Sequence, residues 1–286
     1  MTAYDRRITP ARPDLAAAHL RGVIDAPRYA EGQRLSVIDA AAPMRKHAAP
    51  DAPLETEALH GETVTVYDEV DGWAWGQLEI DGYVGYLPRA ALHLPGPAAT
   101  GKISALRSFL YPGPGIKLPP LCALTLGTAI AVTGLRGDFA VTPHGYIYAR
   151  HISPLAATAA DFVAVCSAFL GAPYLWGGKT SLGLDCSALV QTGLRAAGIA
   201  APRDADMQEH AFGRPSKLSP DLTGLRRGDL VFWKGHVGVM QDAEQMLHAS
   251  GFQMAVVSEP LREAAARIAA AGGGKVTSVG QAAIQS

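Results

Sequence analysis

Cysteine is scarce: Cys122, Cys166 and Cys186 are the only three in 286 residues. An odd number at these spacings matches neither a disulfide framework nor a zinc motif. Cys122 and Cys166 each lie in an apolar run and read as buried thiols in a reducing compartment. Net charge is lacking too. Lys and Arg number 25 against 26 Asp and Glu, so no basic field points to nucleic acid or an anionic membrane surface. Long apolar runs are missing as well. Between Met1 and Leu20 the longest is Leu15 to Ala18, so there is no hydrophobic region of a signal peptide and Arg6-Arg7 does not read as a twin-arginine signal. No run is long enough to span a bilayer. These absences predict a cytoplasmic protein, with export by an unconventional route as the alternative.

What is present centres on Pro173 to Gly198. The glycine-rich, aromatic loop Pro173-Tyr-Leu-Trp-Gly-Gly leads to Asp185-Cys186, which opens a predicted helix. Asp185 suits the N-cap, Leu189, Gly193 and Ala197 share a face, and Gly198 suits the C-terminal end. Cys186 then falls in the first turn, where unpaired amides and the helix dipole favour a thiolate.

Upstream, the pattern is one of short strands. Residues 1–32 read as an extended arm with one helical piece, Asp14 to Arg21, packing on something larger. Strands are predicted at Leu35–Ile38, Ala58–His60, Thr63–Tyr67, Trp73–Leu78 and Tyr83–Leu87, with hairpin signals at Asp71-Gly72 and Asp81-Gly82. Five short strands over residues 33–95 suggest a small barrel. A second, weaker copy runs through 99–155, where Gly127–Val132, Gly134–Phe139 and Gly145–Arg150 echo the first.

Residues 156–286 read as one α+β domain. A helix from Ala160 to Leu170 and the Cys186 helix are followed by a polar loop, Pro202 to Gly224. Strands follow at Asp229–Trp233, His236–Met240 and Met246–Ser250, then a helix from Pro260 to Ala271 and a last strand near Val276 to Ile284.

A nucleophilic cysteine needs an imidazole, and the imidazole needs a group to orient it. If Met240 pairs with Met246, His248 faces Gly238, which leaves room for a ring, and His236 becomes its diagonal neighbour. The spacing permits a Cys186–His236–His248 relay. A packed cysteine with two ordinary strand histidines is the bland alternative, and a zinc site from the same three residues is a further one.

Taken with their order, several segments resemble the NlpC-type cysteine peptidases, bacterial enzymes that cut the peptide stems of the cell wall. They are Pro173-Tyr-Leu-Trp-Gly-Gly, Asp185-Cys-Ser-Ala-Leu-Val-Gln, Arg227-Gly-Asp-Leu-Val-Phe-Trp, His236-Val-Gly-Val-Met and Leu247-His-Ala-Ser. The run from Gly61 through Asp81-Gly-Tyr-Val-Gly-Tyr-Leu-Pro resembles a bacterial SH3 domain. The resemblance implies an α+β, papain-like cysteine peptidase domain preceded by two small all-β SH3-like barrels. It also implies Cys186 as nucleophile, His236 as base and His248 as third member. Ala188 departs from the glycine common there, a one-methyl change.

The resemblance extends to enzymes that cut after γ-D-glutamate in free L-Ala-γ-D-Glu-diamino-acid peptides during murein recycling. It implies that Asp185 and Ser187 hold the L-alanine amine, that Tyr174 lines the oxyanion side, and that the first barrel closes the amine end of the cleft. Glu62, Tyr83 and Tyr86 are candidates for that wall, and Arg203 for pairing a substrate carboxylate. Asp185 is equally explained as an N-cap, Arg203 as a solvated side chain, and Trp176 as packing. The partner is a murein peptide such as L-Ala-γ-D-Glu-diaminopimelate, without metal, cofactor, nucleic acid or membrane; no oligomeric state follows. An acyltransferase or deamidase on the same core, and a catalytically idle wall-peptide-binding protein, stay open.

Overall fold

At Asp71-Gly72 both residues adopt positive φ, 47° and 80°. This is the turn geometry whose twist suits a two-residue hairpin. It sets Val70 opposite Trp73 and joins Thr63–Val70 to Trp73–Leu78. Along Thr63–Val70, Val64 and Val66 turn inward while their neighbours face outward, the period of a strand buried on one face.

The computed structural model describes residues 4–214 and 221–282. The chain divides into two units, Met1–Ala156 and Ala157–Ser286. In the first, a seven-stranded sheet runs in the order Leu92–His93, Gln33–Val37, Thr63–Val70, Trp73–Leu78, Val84–Pro88, Ala41–Arg45, Leu54–Leu59. Leu35, Met44, Val64, Leu78, Tyr83 and Leu87 fill its core. The strand Ala41–Arg45 was not anticipated, because Pro43 and the flanking alanines weaken its pattern.

The arm does pack on this sheet, but not as a helix. Leu15–Ala17 is a strand and only Ala18–Leu20 turns, as a single 3-10 turn. Leu15, Ala16 and Ala17 are all buried, so tertiary packing overrides the helix preference of alanine. Val84 N donates to Arg7 O, and Arg12 lies over the Trp75 ring while pairing with Asp68.

Residues 101–154 form a three-stranded and a five-stranded sheet. The meander Gly134–Arg136, Phe139–Thr142, Gly145–Tyr148 ends in a 3-10 turn, Ala149–His151, and the strand Ile152–Pro154. The earlier meander ends the same way, in Arg89–Ala91 and Leu92–His93.

Among the described residues the second unit sets four helices beside a six-stranded antiparallel sheet ordered Gly213–Arg214, Ser278–Gln281, Asp229–Trp233, His236–Met240, Gln245–Ser250, Ala255–Pro260. Met240 pairs with Met246 as the sequence suggests. The polar loop expected over Pro202 to Gly224 instead contains a helix, Ala205–Phe212, anchored by buried Ala205 and Gln208. Residues 215–220 of that loop, and 283–284 of the expected last strand, lie outside the described residues. Among the described residues no helix is long and apolar enough to cross a membrane.

Candidate active site

The Cys186 helix, Cys186–Ala196, starts where Asp185 takes extended backbone angles and its side chain accepts from Ala188 N. Gly198, at φ 82°, ends it in the left-handed conformation that glycine adopts without penalty. Its inner face meets the shorter helix Phe162–Ser167 closely. A Cβ on Gly193 would stand 2.3 Å from Cys166 Sγ and 2.9 Å from Phe162 O.

Cys186 is only 6% exposed. Its thiol lies beside the amides of Val237 and Ser187, which favour the anion, but burial and the charge of Asp185 outweigh them and push its pKa up to about 12. Burial thus opposes the thiolate that the helix start favours. Cys166 is wholly buried and likewise pushed up to about 12, whereas Cys122 is half-buried rather than enclosed.

His236 and His248 meet across adjacent strands, Nε2 of His236 lying 2.7 Å from Nδ1 of His248. Burial, then the neighbouring His248 and Arg267, lower the His236 pKa to about 3, and burial also lowers that of His248. A Cβ on Gly238 would meet Met246 Sδ at 2.4 Å, so the nearest side chain that the glycine accommodates is the Met246 thioether. Two residues unforeseen in the sequence continue the line. His248 Nε2 lies 2.6 Å from Glu259 Oε1, and Arg267 grips both Glu259 oxygens at 2.5 and 2.6 Å. The β-branched pair Val256-Val257, after the Gly251 turn, was the available signal for the strand that carries it.

Asp185 is more committed than an N-cap requires. Oδ1 accepts from Ala188 N, Ser187 Oγ and Arg203 Nη1, and Oδ2 accepts from Gly177 N and Arg203 Nη2 at 2.7 Å. Arg203 is 1% exposed and also donates to Ser187 Oγ. It is neither a cleft residue awaiting a substrate carboxylate nor a solvated side chain, because a buried guanidinium needs a permanent counter-charge and Asp185 supplies it. Any ammonium at Asp185 and Ser187 meets a carboxylate whose charge is already balanced.

Tyr174 is half-buried, its backbone N donates to Met254 O, and its ring stands beside Gly251. Burial, then Cys186 and Asp185, raise its pKa, so it keeps its proton. Trp176 is 65% exposed and does not pack. Glu62 and Tyr86 belong to the first unit. Glu62 is buried, with Oε2 accepting from Leu59 N in the turn before Thr63; Tyr86 takes a 3.4 Å contact from Arg12 Nη1, and Tyr83 is core. Among the described residues no group of three or more His, Cys, Asp and Glu side chains is arranged to hold a metal.

Known proteins resemble this chain in sequence and in fold. Residues 44–92 match the bacterial dipeptidyl-peptidase SH3 domain, and residues 171–269 match the NlpC/P60 family. The chain is 33% identical over 223 residues to a gamma-D-glutamyl-L-lysine dipeptidyl-peptidase of Bacillus subtilis (strain 168), covering 70% of this chain and 73% of that protein. The protein of the same name from Bacillus cereus (strain ATCC 10987 / NRS 248) is 27% identical over 240 residues, covering 73% of this chain and 71% of its own length. The crystal structure of an NlpC/P60 family protein from Bacillus cereus ATCC 10987 superposes with a TM-score of 0.71 at 20% identity, over 87% of this chain and 99% of that one, a likeness of fold. With a relative one-third identical over more than two-thirds of both chains, and the family match spanning Cys186, His236, His248 and Glu259, the chain belongs to the NlpC/P60 family.

Proposed function

We propose that this protein is a cysteine peptidase that hydrolyses the γ-D-glutamyl–diamino-acid bond of short cell-wall peptides carrying a free N-terminal L-alanine. The observation that carries it is the hydrogen-bonded His236–His248 pair, held on strands that pack against the helix opened by Cys186. The peptidase family and the dipeptidyl-peptidase names of the relatives support the reaction class and the bond.

In this mechanism the neutral Cys186 thiol gives its proton to Nδ1 of His236, the nitrogen that does not face His248, while sulfur attacks the γ-carbonyl. Tyr174, which keeps its proton, and nearby backbone amides take the developing oxyanion. The tetrahedral adduct collapses, and the departing amine leaves with the proton from His236. Water then opens the thioester by the same base, releasing L-Ala-γ-D-Glu and restoring the thiol. The free-amine preference is assigned to Asp185 and Ser187, tempered by Arg203. Such a preference suits released wall fragments, as in recycling, over intact wall.

The test is mass spectrometry of the full-length protein with L-Ala-γ-D-Glu-L-Lys and its diaminopimelate counterpart, each free and N-acetylated, beside Cys186→Ala. Release of L-Ala-γ-D-Glu from the free peptides alone, lost in Cys186→Ala, is the expected result. Equal cleavage of the acetylated peptides removes the amine preference, and no cleavage by the unaltered protein overturns the peptidase assignment.

A further inference from the structure

The line of side chains beyond His248 fixes where the protons lie. His236, His248 and Glu259 stand on three successive antiparallel strands, and the register places Glu259 opposite Met246 and His248 opposite Val257. Each member is thus the diagonal neighbour of the next on one face of the sheet, within reach of long side chains. Glu259 is ionised: although burial pushes its pKa up, its hydrogen bonds from Arg267 and His248 pull it lower still. An ionised carboxylate only accepts, so the contact of 2.6 Å requires a proton on His248 Nε2.

A neutral His248 with its proton on Nε2 has a bare Nδ1. That nitrogen lies 2.7 Å from His236 Nε2, so His236 must donate there. A neutral His236 with its proton on Nε2 has a bare Nδ1 in turn. From this chain of donors and acceptors we infer that Glu259, clamped by Arg267, is a positioning residue that sets the tautomers of both histidines and leaves His236 Nδ1 as the unprotonated base. When the thiol proton reaches His236 Nδ1, the imidazolium keeps donating through Nε2, and no proton passes to Glu259. This inference rests on the Cys186–His236 reading above only for its effect on rate; the tautomers stand independently of it.

The charged groups bearing on His236 and His248 are Arg267 on the Leu261–Ala270 helix, Glu259 on its strand and, for His236, Asp185 at the start of the Cys186 helix. Arg203 acts in turn on Cys186, and Cys186 on Tyr174. Removing the Glu259 charge leaves Arg267 unopposed, so both imidazoles become harder to protonate.

The experiment is long-range proton–nitrogen NMR of the full-length protein with ¹⁵N-labelled histidine, assigned through His236→Gln and His248→Gln. In the unaltered protein both rings are expected as the Nε2–H tautomer. Glu259→Gln is expected to mix the tautomers of both rings and to lower kcat by about ten- to a hundredfold, as loss of orienting partners does elsewhere, while KM stays within about twofold. The acid limb of its kcat/KM profile moves to lower pH, which a purely structural role does not produce. A proton on Nδ1 of either ring in the unaltered protein, or unchanged tautomers in Glu259→Gln, overturns the inference. Both arms are read without turnover, so an inactive protein with Nε2–H rings retires the peptidase assignment and retains this one.

Discussion

Asp185 and Arg203 show how one ion pair serves several duties. The carboxylate caps the nucleophile's helix, holds Gly177 N and receives a guanidinium that is almost wholly buried. Removing one partner of such a pair strands a charge in low dielectric, at about 3–5 kcal/mol, whereas replacing both by apolar groups costs far less. Arg203→Met should therefore lower the urea midpoint of the second unit steeply. Asp185→Leu combined with Arg203→Met should recover part of that loss, and additive losses would show that the two do not act as a pair. At this scale the sequence was legible where a residue's local role decides it. Asp185 as N-cap follows from its neighbours alone. Its bond to Arg203 depends on a contact 18 residues away, which no local pattern carries.

The helices and strands obey the same division. Thr63–Val70, Trp73–Leu78 and His236–Met240 could be read because strand alternation and turn residues agree within them. Ala205–Phe212 is hidden because its polar face resembles a loop, while Ala255–Pro260 lacks strict alternation and ends in proline. Gly193 marks where two helices approach too closely for a side chain. Gly193→Ala gains helix propensity, yet its methyl would overlap Cys166 Sγ. The clash should prevail, destabilising by about 1–3 kcal/mol, the usual range for overpacking. Calorimetry would show a lower Tm, and pairing it with Cys166→Ala should restore only part of the difference, because Phe162 O still stands 2.9 Å from the added carbon.

For the molecule as a whole, buried titratable groups bound the pH range of full stability. His60, His236 and His248 all have pKa values lowered from 6.5, chiefly by burial, so the unfolded chain binds protons that the native chain refuses. Stability from these groups is complete above that value and declines as pH falls toward about 3, the His236 value. Cys166 and Cys186 act oppositely: raised from 9.0 to about 12, they cost stability as pH rises through that interval. Urea midpoints should plateau between about pH 6.5 and 9 and fall on both sides. The fall between pH 6.5 and 5 should shrink in His236→Gln, and an unchanged slope there would remove the imidazoles as its source. The α+β character of the second unit was legible in the shift from short strands to a mixed pattern.

The hairpin that carries the two imidazoles is closed by Asp242, whose Oδ1 accepts from Glu244 N and Gln245 N at 2.8 Å. His236 and His248 stand 12 residues apart, but their meeting comes from the alignment of the flanking strands and not from that interval. A turn that lengthened beyond Gln241 would leave the alignment intact. A search for distant kin that fixes the interval between the two histidines therefore discards descendants whose turn has grown, whereas one anchored on the two strands retains them.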